Sequence, residues 1–341
     1  MADFLSRIEP TAKTRKRETL GVTVSTSTLP LDGRALKELL MLNQTLAKFR
    51  QVPRKVCRTM WDAMPTSVAQ TPLMNRTGRF IYRRFTRDTL KVQTHFTQFM
   101  RNPPLLNALK QIMARDSSST ALGVASIGCS TGAELYSVLY TLRSAMPGRT
   151  IIGVGSDLSP EVVRIAERGL YVPGVPAAEG ALFAAGRPEI EEDEISALNG
   201  IVQQQADGTC RVRDFLRHDT SWFAADAIKD DILTSIGPQD LVLANNFMGP
   251  MDDRSAERCL HNMMRLVKAG GYLVVDGVDL DLKTRVLRGA PFTPILTNLR
   301  EIWGCDGSKQ GWPWLRWGAE PIDTSEPDWR VRYTIIFQRL R

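Results

Sequence analysis

The spacing of apolar residues divides this chain into two parts. Leu36, Leu39, Leu42, Leu46 and Phe49 recur at helical spacing, and residues 80–90 and 104–113 carry the same period. Beyond residue 120 the pattern changes. Ala121 to Ile127 is a short apolar run, Tyr136, Leu139, Tyr140 and Leu142 follow at helical spacing, and Ile151 to Ser156 is a second apolar run. Residues 239–246 predict another strand, 254–268 a helix ended by Ala269-Gly270-Gly271, and 272–276 a further strand. Val331 to Gln338, with alternating Tyr333, Ile335 and Phe337, reads as the last strand. Strands that alternate with helices predict an α/β fold with a mainly parallel sheet. The helical residues before it predict a small N-terminal domain, 1–115. It joins a larger domain, 116–341, through the serine-rich stretch Ser117-Ser118-Ser119.

Candidate chemistry begins at the turn after the first apolar run, Gly128-Cys129-Ser130-Thr131-Gly132-Ala133-Glu134. A glycine-bearing turn between strand and helix lets a ligand approach the backbone and meet the free N–H groups of the first helical turn. The second run ends at Asp157, where doubly wound folds hold ribose hydroxyls; a turn-capping role accounts for the same residue. Only Gly128 and Gly132 of the turn are glycine, so the dinucleotide fingerprint G-x-G-x-x-G is absent. A cofactor without phosphates suits it better, and S-adenosylmethionine is the candidate.

The stretch from Gly128 to Ser137 resembles the G-C-S-T-G-E-E-P-Y-S signature of CheR-type methyltransferases, which use S-adenosylmethionine to methylate glutamate side chains of chemotaxis receptors. Three other segments agree in order. Thr97-Gln98-Phe99-Met100-Arg101-Asn102-Pro103 resembles the family's T-x-F-F-R-D-P; Asp157-Leu158-Ser159, with Ala166 and Gly169-Leu170-Tyr171, resembles its D-I-(S/D)…A…G-x-Y; and Ala244-Asn245-Asn246 stands where the family has C-R-N. The resemblance implies a Rossmann-like class I methyltransferase domain, with a small β-insertion within 171–220 where Val202 to Val212 reads as a hairpin around Asp207-Gly208. It also implies roles. Thr97 and Arg101 would reach the methionine carboxylate, Glu134 the amino group and Asp157 the ribose. Asp226 and Ala227 would border the adenine, Asn245 and Asn246 would line the pocket by the sulfonium, and Gly128 belongs to the turn itself.

The departures concern the acceptor side. His95 replaces the asparagine that the family places two residues before the threonine, Asn245 replaces the arginine of R-N, and Pro250 stands where the family carries a tyrosine. The cofactor half of the signature is present and the acceptor half is altered, so no catalytic residue is assigned. Donor and acceptor are therefore separate questions. An ionised carboxylate acceptor needs no general base, which favours O-methylation of a carboxylate, as on a protein glutamate. A methyltransferase acting on a small molecule is the second reading, and a non-catalytic module that senses the cofactor is the third.

Charge is uneven along the chain. Residues 1–115 carry 21 Lys and Arg against 7 Asp and Glu, within a whole-chain net charge of +7. An acidic acceptor, or docking against the acidic remainder of the chain, accounts for this better than nucleic acid, for which no recognition motif accompanies the charge. Five cysteines without paired metal spacing suit a reduced, cytoplasmic setting, and the three scattered histidines suggest no metal site. No apolar run approaches the roughly 18 residues of a membrane span, and no signal peptide is expected.

Overall fold

The structure, a computed structural model, describes residues 54–69, 71–87, 95–115, 120–172, 198–305, 312–314 and 320–341. The helix expected over Leu36–Phe49 lies outside these residues. Besides a helix over 54–62 and single helical turns, the elements in chain order are α1 (Pro72–Ile81), α2 (Pro103–Arg115), β1 (Ala121–Ile127), α3 (Ala133–Ala145), β2 (Thr150–Asp157), α4 (Pro160–Arg168), β3 (Leu170–Tyr171), β4 (Val202–Gln204), β5 (Cys210–Val212) and β6 (Thr220–Ala224). After them come α5 (Asp231–Ile236), β7 (Gln239–Asn245), α6 (Asp253–Leu266), β8 (Val267–Asp276), α7 (Leu280–Leu287), β9 (Phe292–Ile295), α8 (Leu299–Gly304), α9 (Trp329–Tyr333) and β10 (Ile336–Arg339).

Seven strands form one sheet in the order β6-β2-β1-β7-β8-β10-β9, with β10 antiparallel to both its neighbours and the other pairs parallel. This is the expected Rossmann-like architecture. The period of two sorts side chains between its faces. Leu122 and Val124 of β1, Leu241 and Leu243 of β7, and Tyr272 and Val274 of β8 belong to one core cluster. Ala125 and Ile127, Val242 and Ala244, and Leu273 and Val275 belong to the other. Helix α3 packs its Leu135 and Leu139 into the first cluster, and α6 its Leu260 and Met263 into the second. Each such fully buried side chain contributes about 1.5–3 kcal/mol. A separate three-stranded antiparallel sheet, in the order β3-β5-β4, carries the β4–β5 hairpin across Asp207 and Gly208.

Two predicted boundaries differ. The helix over 254–268 ends at Leu266, and Lys268 to Gly271 lie inside β8, where pairing with β7 shifts from Gln239–Val267 to Leu241–Tyr272. The glycines serve a bulge, not a helix terminus. The last strand is also shorter: residues 331–333 belong to α9, because Arg332 and the Tyr333 hydroxyl both turn to Glu320 Oε1, at 2.7 Å each.

Arginines of the N-terminal helices pair with acids far away in sequence. Arg79 meets Glu320 at 3.0 Å and Glu326 at 3.0 Å, Arg83 meets Asp281 at 2.7 Å, and Arg87 meets Asp253 at 2.6 Å and Asp279 at 3.3 Å. For these residues the basic charge docks against the acidic part of the same chain. Beside them Trp61 stands edge-on to Trp312 and Trp314, both buried, so these tail tryptophans are packing groups.

Candidate functional site

The strand order reverses between β1 and β7, and in open α/β sheets ligands bind at the carboxyl ends of the strands beside such a switch point. The turn after β1 is built for close approach. Gly128 has φ 68° and Gly132 φ 88°, left-handed values that favour glycine. A Cβ on Gly128 would lie 2.6 Å from the Phe247 ring, and one on Gly132 2.8 Å from Ala166 and Trp222. The turn is tied to β2 by Cys129 N–H donating to the Ser156 carbonyl at 3.0 Å. It is tied to the segment before α2 by Ser130 Oγ, which donates to the His95 carbonyl at 2.5 Å. Met100, at φ 51°, continues that segment and donates its N–H to Ser137 Oγ at 3.0 Å. Asn102 then caps α2, its Oδ1 accepting the Leu105 N–H at 3.1 Å. His95, Thr97 and Arg101 are thereby held beside the glycine turn, although they precede it by some thirty residues.

Asp157, at the end of β2, is buried and accepts two backbone N–H groups, from Ser130 at 2.9 Å and from Ser159 at 3.0 Å. Each carboxylate oxygen keeps a lone pair, so ribose hydroxyls can still be accepted. Glu134 enters from the first turn of α3. Its Oε1 accepts Asn245 Nδ2 at 2.8 Å and its Oε2 accepts Ser126 Oγ at 3.3 Å. Burial pushes the Glu134 carboxyl above its ordinary pKa, against the opposing pull of Asn245, the Arg101 guanidinium and Ser126. Arg101 lies over the Phe96 ring, 5.6 Å from its centre.

These side chains line one cavity beside the glycine turn. Eight of the ten residues singled out from the sequence meet there: His95, Thr97 and Arg101 from one segment, Gly128 and Asp157 from the β1 and β2 ends, Glu134 from α3, and Asn245 and Asn246 at the end of β7. Asp226 and Ala227 line neither this cavity nor the one beside it. Asp226 Oδ1 accepts the Ile228 N–H at 3.0 Å in a local turn, and the Ala227 carbonyl accepts Asn262 Nδ2 at 3.2 Å. The wall also includes Phe96, Cys129, Ser130 and Phe247. Cys129 and Ser130 belong to the glycine turn itself, while Phe96 and Phe247 are marked in the sequence only by adjoining residues already singled out.

A second cavity shares Arg101, Glu134, Asn245 and Asn246 with the first and extends between Leu105, Leu106, Leu109, Leu243 and Asp276. Asp276 ends β8 as Asp157 ends β2, so the strand-end rule that selects one applies to the other. Two features fit the phosphate-free cofactor expected from the turn. The Gly128 backbone opens space that a Cβ would close against Phe247, and Asn245 Oδ1 is buried without a hydrogen-bond partner. Among the described residues no group of three or more His, Cys, Asp or Glu could hold a metal ion, and no helix is long and apolar enough to cross a membrane.

A family profile described as CheR methyltransferase, SAM binding domain, matches residues 95–283, more than half of the chain. No curated protein matches in sequence. Among solved structures, a TehB-like SAM-dependent methyltransferase from Corynebacterium glutamicum is 13% identical, over 67% of this chain and 84% of its own, with a TM-score of 0.33. An O-methyltransferase family protein from Burkholderia thailandensis is 17% identical over 61% of this chain and 44% of its own, with a TM-score of 0.31. SAM-bound CalS10, an amino pentose methyltransferase from Micromonospora echinaspora, is 15% identical over 51% of this chain and 50% of its own, with a TM-score of 0.29. This chain thus spans half or less of the length of the latter two.

Proposed function

The chain belongs to the CheR methyltransferase family through its S-adenosylmethionine-binding domain, and from that premise we propose that it transfers the cofactor's methyl group to an acceptor carboxylate. The observation that carries the cofactor half is the convergence of His95, Thr97, Arg101, Gly128, Glu134, Asp157, Asn245 and Asn246, from separate segments, on one cavity. When bound, the cofactor supplies a methyl carbon activated by sulfonium, and displacement forms a C–O bond as the C–S bond breaks. The protein's part is alignment and exclusion of water. Asp157 takes the ribose hydroxyls with its remaining lone pairs, Arg101 pairs with the methionine carboxylate, and Glu134 pairs with the ammonium. Phe96 and Phe247 wall the cavity between them.

An ionised carboxylate needs no base to attack. That suits a loop in which Gly249 and Pro250 follow Met248, with no ionisable side chain where the family carries its tyrosine. A protein glutamate is the acceptor implied by the family. A small-molecule carboxylate is favoured by a different observation: Arg79, Arg83 and Arg87 already pair with acids of the same chain, which offset their charge.

Methyl-labelled S-adenosylmethionine, the purified protein and a cell lysate decide between them. Label in protein bands that mild alkali releases as volatile methanol is the expected outcome. Alkali-labile label confined to extractable small molecules moves the assignment to the second acceptor class, and alkali-stable label overturns the carboxylate.

A further inference from the structure

The two ends of the Asn245 amide are in opposite states. Nδ2 donates to Glu134 Oε1 at 2.8 Å, whereas Oδ1 is buried and has no hydrogen-bond partner. Donation to a carboxylate identifies the nitrogen end, because the amide oxygen has no proton to give. The residue is 9% exposed and lines both cavities. Buried polar side chains are nearly always partnered, so an orphaned acceptor on a cavity wall marks the place of a missing donor.

The cofactor reading narrows what that donor is. A methionine carboxylate only accepts hydrogen bonds and is excluded. Ribose hydroxyls are donors, but they belong to Asp157 at the end of β2, and β1 separates β2 from β7. At about 4.8 Å per strand, Asp157 and Asn245 stand on the order of 10 Å apart across the sheet edge. The adenine amine lies beyond the ribose from the methionine end and is farther still, so the ammonium remains. It presents three N–H donors, and Glu134, already accepting from Asn245 and Ser126, is its charged partner. The amide oxygen stands one amide width from the nitrogen that touches Glu134, so a cation seated on Glu134 lies within its reach.

We propose that Asn245 Oδ1 accepts a hydrogen bond from the cofactor's methionine ammonium and forms, with Glu134, a two-sided cradle for it. The assignment rests on the cofactor reading above and goes beyond it in making Asn245 a positioning residue for one chemical group of the ligand.

Calorimetric titration with two ligands tests this: S-adenosylhomocysteine, and its analogue with hydrogen in place of the α-amino group. The parent should prefer the amine-bearing ligand by at least about tenfold, the scale of a charge-assisted hydrogen bond. Asn245→Leu, similar in shape, should lower that preference severalfold, Glu134 keeping the remainder, while binding the deaminated analogue within about twofold of the parent. Asn245→Asp, titrated at a pH where the carboxyl is ionised, keeps an acceptor without donating to Glu134, and should keep the preference or increase it. Equal losses for both ligands in Asn245→Leu would overturn the proposal, and so would loss of the preference in Asn245→Asp, since the amide would then act only by holding Glu134. If Asn245→Leu does not fold, the parent and Asn245→Asp decide. A parent that binds neither ligand sinks the cofactor reading itself, and this assignment with it.

Discussion

The Asp157 carboxylate already accepts the N–H groups of Ser130 and Ser159, so a substitution there acts on the turn as well as on a ligand. Asp157→Ala should weaken S-adenosylhomocysteine by about 1.5–3 kcal/mol for each charged hydrogen bond lost, and should also destabilise the ligand-free protein. Asp157→Asn keeps one oxygen and should be milder. Titration and urea melts of both variants check this; unchanged affinity in the two would leave Asp157 a turn residue only. For Glu134 the expectation concerns pH. Its carboxyl is raised above the usual range by burial, with Asp276 adding to the shift and Asn245, Arg101 and Ser126 opposing it. An ammonium prefers the ionised form, so S-adenosylhomocysteine affinity should climb as pH rises through this raised pKa and then level off. Stability of the ligand-free protein should move the other way, because the folded state holds its proton above the unfolded pKa and loses that advantage as pH rises. Glu134→Gln should flatten the binding profile. A profile that survives in Glu134→Gln assigns the titration to another group.

At the scale of elements, Arg87 joins the N-termini of α6 and α7, through Asp253 and Asp279. Burial raises the Asp279 carboxyl and the Arg87 guanidinium pulls it down. On sequence alone Arg87 belongs to a basic cluster without a motif; the geometry gives it partners. Because the pair is only partly exposed, Arg87→Ala should cost about 1–2 kcal/mol, between the values for surface and buried pairs. A double-mutant cycle with Asp279→Asn measures the coupling. Additive losses would mean that the two residues act independently. The same scale explains the two shifted boundaries. Ala269-Gly270-Gly271 reads as a helix terminus because glycine serves bulges and helix ends alike, and residues 331–333 read as strand because their helical turn is held by Glu320, a non-local partner.

For the whole molecule, a ligand that binds only the folded chain raises its melting temperature. At a hundredfold excess over Kd the gain is about 2.7 kcal/mol, or roughly 3–5 °C for a protein of this size. S-adenosylhomocysteine should produce such a shift and a nicotinamide dinucleotide should not, since the turn lacks the dinucleotide glycines. A shift with the dinucleotide alone would reverse the cofactor assignment. The features legible along the chain are local in origin. Periods of two and 3.6 mark strands and helices, glycines at 128 and 132 mark a turn that needs positive φ, and polar residues at strand ends, Asp157, Asn245 and Asn246, mark the ligand edge of the sheet. Tertiary structure alone decided which of these meet. It left Asp226 and Ala227 outside the cavities, paired Arg79 with Glu320 across 241 residues, and left one end of Asn245 without a partner. A charge or an amide carries no mark of its partner in its own neighbourhood, because the attraction acts through space and the chain brings the two together only when the sheet has formed.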